Sequence, residues 1–213
     1  MNEAQSSRLD QLIDSDFWGV VHITLPDRVL YSRTGGLADR AHSIPNTLDT
    51  QFAIASGAKG FTALAVMSLV AEGALALDTK IQSLLGEANN LVDPATTVRH
   101  LLAHTSGMGD YLDESAISNI EDYVLEIPVH RLARPADFLP MLLGRPVKFP
   151  PGTSFSYCNS GYVLLALAIE AVTKRSYYDV IEERVFAPAE MQETAFLRLD
   201  ELPGRAALGY LPQ

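Results

Sequence analysis

The stretch FAIASGAKGFTALAVMSLVA, residues 52–71, decides how the rest of the chain is read. Ala63, Leu64, Val66, Met67, Leu69 and Val70 recur at helical spacing with no proline among them, which predicts a buried helix from Ser56 to Leu77, Gly73 marking its end. Ser56 and Lys59 stand three residues apart at the start of that helix, on one face and within one turn. Backbone N–H groups at a helix N-terminus point toward such a serine, and the dipole favours negative charge there. Both effects suit an attacking alkoxide and the oxyanion that follows it. The same dipole, with burial, disfavours the ammonium form of Lys59 and makes it a candidate proton acceptor or relay. Taken alone the tetrapeptide is a weak signal, since a chain of this composition produces Ser-x-x-Lys by chance about 0.3 times. A serine cap beside a solvated lysine is the plain alternative.

The second stretch is FPPGTSFSYCNSGY, residues 149–162. Pro150 and Pro151 impose an extended approach, and a tight turn then delivers Tyr157 and Asn159 on one side just before a helix. A tyrosine near a lysine can be held near its ionised form and take a proton from serine. The alternative is a buried tyrosine and an asparagine in a turn.

Together these segments carry a resemblance. Phe52 to Lys59 resembles the first motif of the class C β-lactamase family of penicillin-recognising serine hydrolases, which includes family VIII-type esterases. Val98-Arg99-His100-Leu101-Leu102-Ala103-His104-Thr105-Ser106-Gly107-Met108 is similar to that family's structural signature. Arg134-Pro135 through Phe149-Pro150-Pro151-Gly152 to Tyr157-Cys158-Asn159 looks like the approach to its second motif. The resemblance runs from about Phe17 to the end of the chain, with the motifs in the family's order. It implies an α+β, β-lactamase/transpeptidase-like fold, an antiparallel sheet flanked by helices plus a mostly helical region. It also implies a site in which Ser56 is the nucleophile, Lys59 and Tyr157 take its proton, and Asn159 positions the substrate. The family's third motif, Lys or His followed by Thr/Ser-Gly, has no match after Asn159. The expectation is therefore a partial domain, its sheet incomplete for want of C-terminal strands, serving either as a serine hydrolase or as a non-catalytic domain for binding or assembly.

Elsewhere the pattern is simpler. Leu9, Leu12 and Ile13 predict a short amphipathic helix over residues 3–14; Phe17 to Leu25 and Val29 to Arg33 predict a hairpin turning at Pro26-Asp27. Thr97 to Ala103, Gly161 to Thr173 and Tyr177 to Val185 predict further helices. Residues 110–148 hold two weak helical stretches broken by prolines, and the tail after Pro188 reads as irregular. The expected organisation is a single partial domain, 1–213, with helix and hairpin in 1–55 and the motif-bearing helical region in 56–213. A two-stranded hairpin is marginal alone. Its uncovered edge is expected to attract a missing C-terminal half or a second copy of the chain.

Composition narrows the function. Apolar residues make up 47% and charged residues 20% of a 213-residue chain, as in an ordinary globular protein. A net charge of −10 argues against nucleic acid and anionic membrane as partners. No apolar run is long enough to span a bilayer. The expected partner is a small-molecule ester, amide or β-lactam. One cysteine, Cys158, excludes an internal disulfide framework and cysteine zinc sites. The acidic N-terminal stretch lacks the pattern of a secretory signal, so a cytoplasmic location is expected. No metal or organic cofactor is expected. His100-Leu101-Leu102-Ala103-His104 has metalloprotease spacing, but Leu101 stands where the catalytic glutamate belongs. Ser106 lacks the glycine spacing and preceding strand of a nucleophile elbow. Cys158 reads as a small buried side chain, and His22, His42 and His130 have no companions that make a site.

Overall fold

The hairpin expected to turn at Pro26-Asp27 forms as an antiparallel pair, β1 (Gly19–Leu25) against β2 (Arg28–Gly35), in a computed structural model that describes residues 3–117, 119 and 123–210. Register runs from Gly19 opposite Gly35 to Leu25 opposite Arg28, with an irregularity between Ile23 and Thr24. Helix α1 (Glu3–Leu12) is tied to β2 by polar groups more than by its apolar stripe. The Tyr31 hydroxyl donates to Asp10 Oδ1 at 2.6 Å and Arg33 to the Asp10 carbonyl at 3.0 Å, while Leu12 stays 73% exposed. Gly35 is required here, because a Cβ would lie 2.3 Å from the Phe17 carbonyl oxygen.

The chain divides into two compact units, residues 1–54 with 200–213, and residues 55–199. In the first, a second small antiparallel pair forms, β3 (Leu37–Asp39) with β4 (Ile44–Pro45). The tail read as irregular is ordered against this unit. Gln51 N donates to the Arg205 carbonyl at 3.0 Å, and Ala207 N and Leu208 N donate to the carbonyls of Gln51 and Ala38. The Arg40 guanidinium lies 4.6 Å from the Trp18 ring centroid and 4.4 Å from that of Tyr210, a cation–π sandwich.

The second unit is a helical core. Its principal helix α2 covers Lys59–Ala71 only. Ala55–Ala58 form a 3₁₀ turn ahead of it, so Ser56 precedes the α-helix rather than opening it. At the other end Gly73 takes φ +76° and the chain folds back, Ala74 N and Leu75 N donating to the Leu69 carbonyl, which ends the helix six residues before Leu77. Helix α3 (Val98–Leu102) is capped by Thr97, whose hydroxyl accepts from His100 N while His100 Nδ1 accepts from Thr97 N. The proline-broken region contributes one-turn pieces, Val129–Arg131, Pro135–Phe138 and α4 (Leu139–Leu142), with residues 118 and 120–122 of that region lying outside the described residues. Helix α5 (Asn159–Thr173) begins two residues earlier than its apolar periodicity indicates, and α6 (Tyr177–Ile181) passes into a π-helical turn at Glu182–Phe186.

Helix α5 packs against α2, α3 and α6. Leu164, Leu165, Ala168 and Ile169 are fully buried with Val66 and Leu69 of α2, Leu101 of α3 and Ile181 of α6. Each of these leucine, isoleucine and valine side chains contributes roughly 1.5–3 kcal/mol by leaving water. Among the described residues, no helix is long and apolar enough to cross a membrane. Leu165→Ala is expected to lower unfolding free energy by about 2–5 kcal/mol, since it removes buried contacts and leaves a cavity. Urea denaturation checks this as a lowered midpoint at unchanged slope.

Candidate active site

Lys59 opens α2 and its Nζ makes two hydrogen bonds, donating to Ser56 Oγ at 2.9 Å and to Asn159 Oδ1 at 2.8 Å. Three of the four residues singled out from sequence therefore meet through one ammonium group. Tyr157, the fourth, joins by its ring, whose centroid is 4.9 Å from Lys59 Nζ. Among the described residues, its hydroxyl makes no hydrogen bond to Ser56 or Lys59. Ser56 is exposed and Lys59 and Tyr157 are half-buried, which leaves the serine open to an incoming molecule. Immediately before Ser56, Ala55 holds φ +44°, a left-handed conformation that costs a residue with a Cβ on the order of 1–3 kcal/mol.

Asn159 is 6% exposed and its amide is oriented by acceptors on the NH₂ side. Nδ2 donates to the Leu112 carbonyl at 2.9 Å and to Asp110 Oδ2 at 3.2 Å, with Glu114 Oε1 at 3.5 Å. The carbonyl oxygen is thereby aimed at Lys59. Asp110 is the anchor of this arrangement, although nothing in its sequence context marks it out. It is 7% exposed and accepts from Asn159 N at 2.7 Å, Ser160 N at 2.8 Å and Ser160 Oγ at 2.9 Å. A carboxylate on the first N–H groups of α5 satisfies donors that the helix leaves unpaired and complements its dipole. This explains the early start of α5: the cap comes from a loop 49 residues upstream.

That loop is held by backbone pairing between residues 104–107 and 148–156. Lys148 N donates to the Gly107 carbonyl, Gly152 N to that of Thr105 and Ser156 N to that of His104. Gly107 has φ +66°, and a Cβ there would lie 1.9 Å from the Phe149 carbonyl oxygen, so the crossing admits glycine alone. The two histidines of residues 100–104 have separate duties: His100 Nδ1 caps α3, and His104 Nδ1 accepts from Cys158 N at 3.1 Å. Ser106 is 3% exposed, enclosed beneath the crossing. Cys158 is 3% exposed, and burial pushes its thiol up to about 12, so it stays protonated at neutral pH.

A family model described as Beta-lactamase matches residues 9–212. The chain belongs to the beta-lactamase family. Its helices and small antiparallel sheets are accordingly part of the β-lactamase/transpeptidase-like α+β fold. A penicillin-binding protein from Bacillus halodurans superposes with a TM-score of 0.87 at 38% identity, covering 95% of this chain and 61% of that one. An octameric penicillin-binding protein homologue from Pyrococcus abyssi superposes at 0.77 with 28% identity, covering 99% and 48%. Among curated proteins, penicillin-binding protein 4* of Bacillus subtilis (strain 168) is 33% identical over 78% of this chain and 35% of its own length. Esterase EstB of Burkholderia gladioli is 32% identical over 96% and 54%, and the D-aminopeptidase of Brucella anthropi 32% over 91% and 37%. The chain thus spans about a third to a half of the length of these curated relatives.

Asp110→Ala is expected to destabilise this beta-lactamase-family fold by about 2–5 kcal/mol, because it strips the acceptor from four buried donors of the first turn of α5. Chemical denaturation measures the loss. In two-dimensional NMR the Asn159 and Ser160 amide resonances should shift most.

Proposed function

We propose that this protein is a serine hydrolase that forms an acyl-enzyme on Ser56 from an ester or amide, the class that includes β-lactams. The observation that carries this reading is the Lys59 Nζ held between Ser56 Oγ and Asn159 Oδ1, with the Tyr157 ring beside it. Relatives named as an esterase, a D-aminopeptidase and penicillin-binding proteins favour the same substrate classes.

Chemically, Ser56 Oγ bonds to the carbonyl carbon and loses its proton to Tyr157 acting with Lys59 as the base. With Lys59 donating to Oγ, the serine's own O–H is left free to point elsewhere, as this transfer needs. Charge developing on the carbonyl oxygen is met by N–H groups at the turn preceding α2. The proton returns to the leaving alcohol or amine as the tetrahedral intermediate collapses. Water, deprotonated by the same pair, then attacks the acyl carbon and frees Ser56 with the acid product. Asn159 serves by holding Lys59 through Oδ1, since its NH₂ already donates to the Leu112 carbonyl and Asp110. No metal or organic cofactor enters this chemistry.

The test is hydrolysis of a nitrophenyl acetate by the intact protein and its variants. Ser56→Ala is expected to abolish turnover above the uncatalysed rate, and Lys59→Ala and Tyr157→Phe each to reduce it by about a hundredfold or more. Wild-type turnover by Ser56→Ala would remove Ser56 from the mechanism.

A further inference from the structure

His104 contacts nearly every residue of the turn that delivers Tyr157 and Asn159, and no part of the proposed mechanism uses it. Its Nδ1 accepts the Cys158 N–H at 3.1 Å, and its carbonyl accepts the Ser156 N–H at 2.9 Å. Its ring lies 4.6 Å from the Tyr157 ring, stacks on Tyr162 at 5.1 Å and meets Phe155 edge-on at 6.0 Å. The backbone at His104 is left-handed, φ +56°, which directs the side chain back under that turn. A backbone N–H can only donate, so Nδ1 carries no proton and the neutral ring holds its hydrogen on Nε2.

The charged and titratable groups facing this imidazole are Lys59 from α2, Asp110 from the following loop, and Tyr157, Cys158 and Tyr162 from the second motif and α5. Burial, and then the Lys59 charge, lower the histidine pKa from 6.5, with Asp110 opposing. Protonation would add a second cation beside Lys59 and put an N–H on Nδ1 facing the Cys158 N–H, two donors with no acceptor between them.

We propose that neutral His104 is a positioning residue for Tyr157, holding the Tyr157–Asn159 turn in register through the Cys158 N–H and the ring contact with Tyr157, and that protonating His104 releases this turn and suppresses acylation of Ser56. The acylation half rests on the serine hydrolase reading, whereas the coupling of His104 to the turn does not. The sign follows from the depressed pKa. Above 6.5 the contribution to folding is fully present, and it is lost as pH falls through the lower, folded-state value.

Two measurements on the intact protein test it. In long-range proton–nitrogen NMR from pH 8 to 4.5, His104 should show the Nε2–H form at high pH. Its titration midpoint should lie below 6.5, with the Cys158 amide and Tyr157 ring signals moving at the same midpoint. Labelling of Ser56 by a fluorophosphonate should slow by about tenfold per pH unit below that midpoint. His104→Asn keeps an acceptor near the Nδ1 position and tolerates a left-handed backbone, so it should still label at pH 7 but without that acid limb. His104→Phe keeps a ring and loses the acceptor, and should label at least about tenfold more slowly at pH 8. Titration of His104 that leaves Cys158 and Tyr157 unmoved overturns the proposal. So does a wild-type acid limb in His104→Asn. Coupled NMR titration without labelling of Ser56 at any pH overturns the serine hydrolase reading instead and leaves the positioning role of His104 supported.

Discussion

One ammonium group ties together two distant segments: Lys59 Nζ spans from Ser56 Oγ in the turn ahead of α2 to Asn159 Oδ1 at the head of α5, 100 positions from the lysine. An ammonium with two short donations is held to a small volume, and both acceptors must therefore be fixed by something stiffer than a surface loop. The stiffness on one side comes from α2, whose Val66 and Leu69 are fully buried against the apolar core. On the other it comes from α5 and from Asp110, a carboxylate that caps the helix and turns the Asn159 amide so that oxygen, not nitrogen, faces the lysine. If Asn159 were free to flip, its NH₂ would meet the ammonium and the bridge would fail. Core packing and site geometry are thus set by the same two helices.

The His104–Gly107 segment connects these parts. It runs in backbone register with residues 148–156, crosses so closely at Gly107 that no side chain fits, and continues into Asp110. Its conformation is costly at His104, whose side chain disfavours positive φ, whereas Gly107 takes positive φ without steric cost. The hydrogen bonds at each crossing and the burial of Met108 offset that cost. The segment thereby carries the helix cap and the histidine under Tyr157 on a single short template.

Apolar periodicity sufficed to place α2, α3, α5 and α6, because those helices bury one face, and the turn residues Pro26-Asp27 between two strand-like runs sufficed for the hairpin. What periodicity could not show is set by tertiary contact. The α-helix starts after Ser56 and stops at Ala71 because a left-handed residue stands at each end of the segment. Strands β3 and β4 are too short to carry an alternation, and the tail from Arg205 to Tyr210 is ordered by partners more than 150 residues away, such as Gln51 and Arg40. Within the site, Ser56, Lys59, Tyr157 and Asn159 were legible as two spaced motifs. Asp110 and His104 were not, since a lone acid after Met108-Gly109 and a histidine in a turn look like loop polarity. The resemblance of Val98–Met108 to a family signature marked the segment without giving its residues roles, and Gly107, a glycine amid polar turn residues, pointed to a close backbone approach.

The claim on which the account stands is that Ser56 is the nucleophile of a site assembled around Lys59. The most direct measurement is peptide-level mass spectrometry of the intact protein after treatment with a fluorophosphonate and, separately, a fluorescent penicillin. The account predicts a single covalent adduct on the peptide containing Ser56, formed faster than on denatured protein and lost in Lys59→Ala. An adduct on Ser106 or another serine, or none from either probe on folded protein of verified mass, would contradict it.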